Sequence, residues 1–123
     1  MAINHIPEAE NRLVQDHTFD FLEKEKHRGL KFDLAVIDPP SYSTSRQQNR
    51  SFDIAKDHPR LLNKALSLMK AGSIVFFSTN HQDFELHMDL LKTGTATKIT
   101  ATTIPEGYIT PRKKIHRCWK ITV

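Results

Sequence analysis

The residues best suited to chemistry follow the end of a predicted strand. Asp38, Pro39 and Pro40 come directly after the apolar run Phe32 to Ile37, and neither proline has an N–H group that could occupy a neighbouring acceptor. This segment therefore offers a carboxylate beside two carbonyls of fixed backbone geometry. Such a rigid row of acceptors suits a ligand amine or the edge of a nucleic-acid base.

Two other stretches end near the same predicted edge. Asp16 follows the predicted short strand Arg12 to Gln15, and Ser78 to Asn80 come at the end of the predicted strand Ser73 to Ser78. In open α/β sheets the ligand lies outside the carboxyl ends of the strands. We therefore expect Asp16, Asp38 and the segment Ser78 to Asn80 to face one crevice.

The elements that must position these residues alternate between helices and strands. Phe32 to Ile37 and Ser73 to Ser78 are short, nearly continuous apolar runs, which is typical of buried parallel strands. Phe19 to His27 has the spacing of a helix with Phe19 and Leu22 on its inward face. This alternation predicts the α/β class.

A helix of about three turns is predicted between the two strands. Asp57 or His58 is predicted to cap it, Pro59 falls in its first turn and Gly72 lies just past its end. The apolar residues at helical spacing are Leu61, Leu62, Ala65, Leu66, Leu68 and Met69.

The rest of the chain predicts one helix and a β-hairpin. Asp83 to Leu91 has the pattern of a short helix. Thr95 to Ile104 is rich in Thr and Ile, Pro105 to Gly107 predicts a turn, and Ile115 to Val123 predicts a last strand.

Composition limits the class of protein. The sequence has 123 residues, which predicts a single domain over residues 1–123. Its apolar runs are far below the roughly 18–20 residues that a membrane span needs. Met1 to Glu8 has neither the basic nor the apolar region of a secretory signal. We therefore expect a cytoplasmic protein without a membrane partner.

The cysteine and the histidines do not have the number and spacing that a zinc site needs. The single cysteine, Cys118, excludes a Cys-rich zinc framework and an internal disulfide, and we expect it to be a small buried residue. His81 and His87 are six positions apart, which is not the spacing of a zinc pair on one helical face. We expect no metal site. The net charge of +4 is compatible with nucleic acid without requiring it.

The Asp-Pro-Pro segment carries a family resemblance. Phe32 to Ser43, which reads FDLAVIDPPSYS, looks like motif IV of class I S-adenosylmethionine-dependent methyltransferases in its Asp-Pro-Pro-(Ser/Thr)-(Phe/Tyr) form. Together with four further segments it resembles the RlmK-type 23S rRNA guanine-N7 methyltransferase domain of the RlmKL/RlmI-like superfamily, from about Arg12 to Val123. Those segments are Ser43 to Arg46, Phe52 to His58, Phe77 to Asn80 and Ile115 to Thr122.

The resemblance implies a Rossmann-like class I methyltransferase fold, of which this chain is the C-terminal part. We expect a mostly parallel sheet that ends in an antiparallel hairpin, taken from the family's strand order 3-2-1-4-5-7-6. The family's first strand and its Gly-rich cofactor turn would lie before Ile3. The 4 glycines of this sequence stand singly, so the cofactor site is expected to be half present.

The same strand order implies two weak points. Arg12 to Gln15 corresponds to strand three and, without its neighbours, would be loosely held or paired abnormally. Phe32 to Ile37 corresponds to strand four and would have an apolar, unpaired edge, which proteins normally cover. We expect a homo-oligomer, or an N-terminal half supplied by another chain.

The resemblance also implies roles for individual residues. The cofactor would be S-adenosyl-L-methionine, with Asp16 at its adenine amino group and His17 beside it. Asp38, together with the carbonyls of Pro39 and Pro40, would face the transferred methyl group and the target base. Tyr42 would either stack on that base or pack beneath the loop.

The chemistry of methyl transfer limits which atom of which base can be the target. Methylation of a pyrimidine at C5 needs a cysteine nucleophile, and the stretch Ser78 to His81, where related enzymes carry it, has none. Guanine N7 has an in-plane lone pair, so its methylation needs placement rather than a base. The resemblance therefore favours a guanine of 23S rRNA as the target.

Basic residues could contact the phosphates of RNA, although solvated surface charge explains them equally well. They are Arg46 and Arg50 after motif IV, and Arg112, Lys113, Lys114 and Arg117 around the predicted hairpin. An alternative function is a non-catalytic, truncated remnant that keeps an RNA- or partner-binding surface.

Overall fold

The fold comes from a computed structural model that describes residues 11–45, 50–103 and 116–123. In chain order its elements are α1 (Thr18–Arg28), β1 (Phe32–Ile37), β2 (Tyr42–Ser45), β3 (Arg50–Asp53), α2 (Ile54–Leu66), β4 (Met69–Thr79), a 3-10 turn (Met88–Leu90), β5 (Thr95–Lys98), α3 (Thr100–Thr103) and β6 (Arg117–Thr122). The predicted α/β class is confirmed, as are the helix over 19–27 and the strands over 32–37 and 73–78.

The main sheet has the order β1-β4-β6-β5. β1 and β4 are parallel, with Ala35 opposite Val75, and α2 is the crossover between them. β6 is antiparallel to both of its neighbours, β4 and β5. β2 and β3 form a separate antiparallel pair. The sheet is therefore mixed. Its order β1-β4-β6-β5 agrees with the second half of the order expected from the family, in which the corresponding strands are numbered 4-5-7-6.

The core lies between α2 and one face of the main sheet. Large apolar side chains of α2, β4 and β6 meet there with Phe84, and each contributes about 1.5–3 kcal/mol through burial. The buried cluster consists of Ile54, Leu62, Leu66, Met69, Val75, Phe77, Phe84, Trp119 and Ile121.

α2 begins earlier than its apolar pattern predicted. The carboxylate of Asp53 accepts a hydrogen bond from Ala55 N at 3.0 Å, and that of Asp57 accepts one from Asp53 N at 2.9 Å. This reciprocal arrangement caps the helix at Asp53. The predicted cap at Asp57 or His58 is wrong, and Pro59 lies inside the helix rather than in its first turn.

The end of α2 also differs from the prediction. The helix stops at Leu66, so Met69 belongs to β4. Gly72 also lies in β4, where its N–H donates to the carbonyl of Val123 at 2.8 Å. It does not terminate the helix.

β1 lies at an edge of the main sheet as described. Ala35 and Ile37 pack against the core, but Leu34 is 60% and Val36 is 72% exposed. The prediction of a buried strand is therefore wrong for one face, because side chains alternate along a strand and Leu34 and Val36 lie on the face opposite to that of Ala35 and Ile37. In the described part of the chain β4 is the one strand beside β1, so the expected apolar, unpaired edge is present there.

Two predicted elements do not form. Arg12 to Gln15 is not a strand, since it pairs with no strand of either described sheet. Asp83 to Leu91 is not a helix, and only the 3-10 turn Met88–Leu90 forms within it. The side chains of His58 and Asn63 in α2 bind part of this segment's backbone instead.

The antiparallel pairing of the last two strands is confirmed. β5 is shorter than predicted, because Thr100–Thr103 turns into the helical element α3. The predicted turn Pro105 to Gly107 and the start of the last strand at Ile115 lie outside the described residues. Within the described ranges, no helix is long and apolar enough to cross a membrane.

Candidate active site

Asp38 lies where β1 ends, beside the end of the parallel strand β4. Its Oδ1 accepts a hydrogen bond from the hydroxyl of Ser78 at 2.9 Å. Because parallel neighbours end on the same side of a sheet, the first residues after β1 meet the last residues of β4. The expected meeting of Asp38 with the segment Ser78 to Asn80 is confirmed.

The loop after Asp38 is held at its far end by Ser41. The Ser41 hydroxyl donates to Oδ1 of Asn80 at 3.1 Å, and the Ser41 carbonyl accepts from the N–H of Ile54 at 3.0 Å. Pro39 and Pro40 lie between these anchors, and their rings fix φ. The Asp38 to Ser41 loop is thus a constrained segment whose carboxylate is exposed.

Tyr42 begins β2 and pairs with Asp53 of β3. Its side chain is 62% exposed, which leaves the ring available to a ligand beside the loop.

Asp16 lies just before α1. Its Oδ2 accepts from Lys24 Nζ at 2.7 Å, and its Oδ1 accepts from the N–H of His17 at 2.9 Å. The hydrogen bond from Lys24 lowers the pKa of Asp16 from its ordinary value, with a smaller contribution from the His17 N–H. Asp16 is therefore held as a carboxylate at neutral pH.

A cavity of about 700 Å³ connects these residues. Asp16 and His17 line it at the start of α1, and Asp38, Pro39 and Pro40 line it at the end of β1. Asp16 and Asp38 therefore share one crevice, as expected, whereas residues 78–80, which were expected to face it too, do not line this cavity. A volume of this size falls in the range of small-molecule sites.

The wall of this cavity near α1 contains a cluster of aromatic rings, and the sequence patterns did not predict that these rings line the cavity. The rings of Phe19 and Phe52 are 6.4 Å apart, and the ring of His17 is 6.0 Å from that of Phe19. The guanidinium of Arg60 lies over the Phe19 ring at 4.1 Å. Phe19 and Phe52 both line the cavity, so its chemistry combines two carboxylates, Asp16 before α1 and Asp38 after β1, with an apolar wall.

Cys118 lies opposite Ser78 in the β4 to β6 pairing and is buried, as predicted. Burial raises the pKa of its thiol, and the charge of Asp38 raises it further. The side chain is therefore a neutral thiol at neutral pH, which does not suit a nucleophile.

Most of the predicted phosphate-binding residues lie outside the described residues. These are Arg46, Arg112, Lys113 and Lys114, while Arg50 is described only by its place at the start of β3. Arg117, at the start of β6, donates from Nη1 to the carbonyl of His81 at 3.0 Å. In the part of the chain that the structure covers, no three His, Cys, Asp or Glu side chains are grouped to hold a metal ion.

Solved structures define the class to which this fold belongs. The fold matches a methyltransferase from Streptococcus mutans, described as SAM-dependent, with a TM-score of 0.73 at 19% identity, over 98% of this chain and 33% of that one. It also matches the crystal structure of SMU.776, described as a methyltransferase complexed with SAH, with a TM-score of 0.74 at 20% identity and the same two coverages. The fold is thus part of the class I methyltransferase fold.

By sequence, the chain is a homologue of the ribosomal RNA large subunit methyltransferases K and K/L. It is 37% identical over 120 residues to methyltransferase K of Neisseria meningitidis, which is 97% of this chain and 33% of that protein. It is 35% identical over 119 residues to methyltransferase K/L of Saccharophagus degradans, again over 97% of this chain but 15% of the relative. The chain thus spans a third or less of the length of these relatives. No family model matches it.

Proposed function

We propose that this chain forms the base-binding side and the adenine side of an S-adenosylmethionine-dependent methyl-transfer site that acts on rRNA of the large ribosomal subunit. The observation that carries this proposal is the anchored Asp38 to Ser41 loop, which shares one cavity with Asp16. Homology to the methyltransferases K and K/L supports an rRNA substrate.

The described residues fit part of the cofactor. The carboxylate of Asp16 is an acceptor for the adenine amino group, and His17 and Phe19 provide an apolar wall beside it. Gly29, Gly72 and Gly94 stand singly in the described chain, so these residues do not form a Gly-rich turn for the methionine part. S-adenosylmethionine, when bound, supplies the electrophilic methyl group.

The Asp38 to Ser41 loop fits the base that receives the methyl group. The Asp38 carboxylate and the carbonyls of Pro39 and Pro40 are acceptors for the amino and imino N–H groups of a purine. The exposed ring of Tyr42 stacks on the base. We infer that the target is guanine N7, because its lone pair lets the site work by placement, without an acid–base pair.

The basic residues Arg46, Arg50, Arg112, Lys113 and Lys114 are proposed to bind RNA phosphates. The net charge of +4 favours such binding. An rRNA substrate would place the protein in the cytoplasm.

The free edge of β1 is proposed to be covered in the active form, either by a second copy or by the rest of a methyltransferase domain. Leu34 and Val36 are exposed on this strand, and parallel strands are normally buried on both faces. Sedimentation of the purified chain tests the first arrangement, since a monomer at all concentrations contradicts self-association.

The proposed function is tested on the chain alone and on a chimera. Calorimetric titration of the 123-residue chain with S-adenosylmethionine tests whether this part of the site binds cofactor by itself. In the chimera, the chain replaces the 120 residues that it matches in the Neisseria meningitidis relative. We expect the chimera to transfer a labelled methyl group to large-subunit rRNA, and mass spectrometry of the nucleosides to identify 7-methylguanosine.

Controls separate misfolding from loss of function in this test. The parent Neisseria protein is assayed in parallel, and thermal unfolding confirms that the chimera is folded. A folded chimera that binds S-adenosylmethionine but methylates no rRNA contradicts the proposal. Methylation of another nucleoside would support RNA methyl transfer but would contradict guanine N7 as the target.

A further inference from the structure

The end of β4 holds the Asp38 to Ser41 loop at both of its ends. The first contact joins the Ser78 hydroxyl to Asp38 Oδ1 at 2.9 Å, and the second joins the Ser41 hydroxyl to Asn80 Oδ1 at 3.1 Å. Ser78 and Asn80 are two positions apart at one strand end. A single short segment therefore sets the position of the whole loop.

The first contact controls how the carboxylate of Asp38 is turned. An exposed Asp side chain otherwise rotates among several staggered conformers. The hydroxyl of Ser78 binds Oδ1, which leaves Oδ2 as an acceptor for a ligand. The backbone of Ser78 is held in place, since Ser78 pairs with Cys118 of β6 near the end of the inner strand β4.

The second contact controls the far end of the loop. Ser41 is bound by its side chain to Asn80 and by its carbonyl to the N–H of Ile54, the first residue of α2. The two prolines cannot donate hydrogen bonds, so the loop depends on its ends for its position. β4 and α2 together fix where the carbonyls of Pro39 and Pro40 lie.

We propose that Ser78 and Asn80 are positioning residues for methyl transfer. Ser78 sets the rotation of the Asp38 carboxylate, and Asn80 sets the place of the two proline carbonyls through Ser41. Neither residue contacts the methyl group. This inference rests on the proposed function, because it assigns the loop to the target base.

Ser78→Ala tests the inference with a matched control. We expect kcat for rRNA methylation to fall about 10- to 100-fold, since misplacement by about 1 Å costs this much. The Kd for S-adenosylmethionine should stay unchanged. Ser78→Thr, which keeps the hydroxyl, should restore most of kcat. Ser73→Ala is the control, because Ser73 is a buried serine of the same strand whose hydroxyl has no described hydrogen-bond partner.

The same assays decide the outcome. An unchanged kcat in Ser78→Ala overturns the inference, as does an equal loss in Ser78→Ala and Ser78→Thr. Asn80→Ala and Ser41→Ala should each lower kcat, and the double variant should lose no more than the larger single effect. Additive losses contradict the proposed role of the Asn80 to Ser41 contact. These kinetics are measured on the protein, either the chain alone or the chimera, that transfers a methyl group in the test of the proposed function.

A structural readout separates failure of this inference from failure of the proposed function. If no form transfers a methyl group, the proposed function fails, and crystal structures of the wild-type chain and Ser78→Ala still decide what Ser78 does. We expect the Asp38 side chain to change its χ1 rotamer or to become disordered in the variant. An unchanged, ordered Asp38 overturns the positioning role whatever the activity is.

Discussion

His58 is buried in α2 and accepts a hydrogen bond at Nε2 from the backbone N–H of His87, 3.1 Å away. Its Nδ1 lies 2.7 Å from the carbonyl of Ile54. A backbone N–H can only donate and a carbonyl can only accept, so the ring is neutral, with its proton on Nδ1. This imidazole connects α2 to the chain beyond β4, where the predicted helix is missing.

This relationship predicts a loss of stability in acid. Burial lowers the pKa of His58 in the folded protein below its ordinary value of about 6.5, the Ile54 carbonyl opposes this shift, and the nearby ring of His87 adds to it. The unfolded chain therefore binds the proton first as the pH falls. The stability is fully present above about pH 6.5 and decreases below it, until the folded-state pKa is passed.

Urea unfolding at about pH 7.5 and about pH 5.5 measures this effect. We expect His58→Gln to be less stable than the wild type at the higher pH, but to lose less stability between the two. The reference is the change in the unfolding free energy of the wild type between the two pH values, to which the other histidines also contribute. Equal changes in the two proteins would show that His58 does not titrate in this way, and the NMR titration of its ring in the wild type provides an independent check.

Asn63 makes a second connection between α2 and the same segment. Its Nδ2 donates to the carbonyl of Leu90 at 2.9 Å, and its Oδ1 accepts from the N–H of Lys92 at 2.8 Å. Asn63→Ala removes both hydrogen bonds, and we expect a loss of about 1–2 kcal/mol in the free energy of unfolding. Hydrogen exchange at the Lys92 amide should become faster. Lys56→Ala on the exposed side of α2 is the control, and a loss no larger than in this control contradicts the prediction.

Gly29 and Gly94 provide a matched pair for a steric prediction. Both have positive φ, 73° and 93°, but a Cβ at Gly29 would meet nothing within 4 Å, whereas one at Gly94 would lie 2.9 Å from Ile121 Cγ2. Gly29→Ala should cost about 1–2 kcal/mol from backbone strain. Gly94→Ala should cost about 1–3 kcal/mol more, because Ile121 is fully buried and must shift. Thermal unfolding compares the two, and equal losses would mean that the core near Ile121 yields freely.

Asp38→Ala tests the carboxylate at the end of β1. We expect methyl transfer to fall by about 100-fold or more, because a group that orients the base in the transition state is lost. The thermal unfolding temperature should be nearly unchanged, since this carboxylate is exposed. Asp33→Ala is the control, because Asp33 is an exposed Asp within β1 whose carboxylate pairs with Lys70 on the surface. Methylation at the wild-type rate would remove Asp38 from the mechanism.

Tyr42 tests the stacking of the target base. Its ring is 62% exposed, so its replacement should leave the fold intact. We expect Tyr42→Ala to weaken RNA binding or turnover roughly 10-fold and Tyr42→Phe to stay near the wild type, because stacking needs the ring and not the hydroxyl. Filter binding with an rRNA fragment measures the affinity for RNA. A large loss in Tyr42→Phe would instead assign the role to the phenolic oxygen.

Local apolar patterns were enough to predict the elements whose partners are apolar. β1, β4 and most of α2 follow from runs or helical spacing of apolar residues, and the meeting of Asp38 with Ser78 follows from the parallel order of β1 and β4. The start of α2 was missed because the apolar pattern that predicted the helix begins at Leu61, after the cap formed by Asp53 with Asp57.

The segment after β4 shows why other parts could not be predicted. Its apolar residues suggested a helix, but its backbone groups find their partners in His58 and Asn63, some 30 residues earlier. Such tertiary hydrogen bonds leave no local pattern in the sequence. The Ser41 to Asn80 contact of the candidate site has the same origin, since it joins residues 39 positions apart.

The position of β6 in the sheet has a consequence for synthesis. β6 follows β5 along the chain but lies between β4 and β5, and it buries Trp119 and Ile121. Until the ribosome has made β6, Val75 and Phe77 of β4 lack this neighbour, and β5 has no described strand beside it. The core between β4 and β6 therefore closes only after β6 has been synthesised.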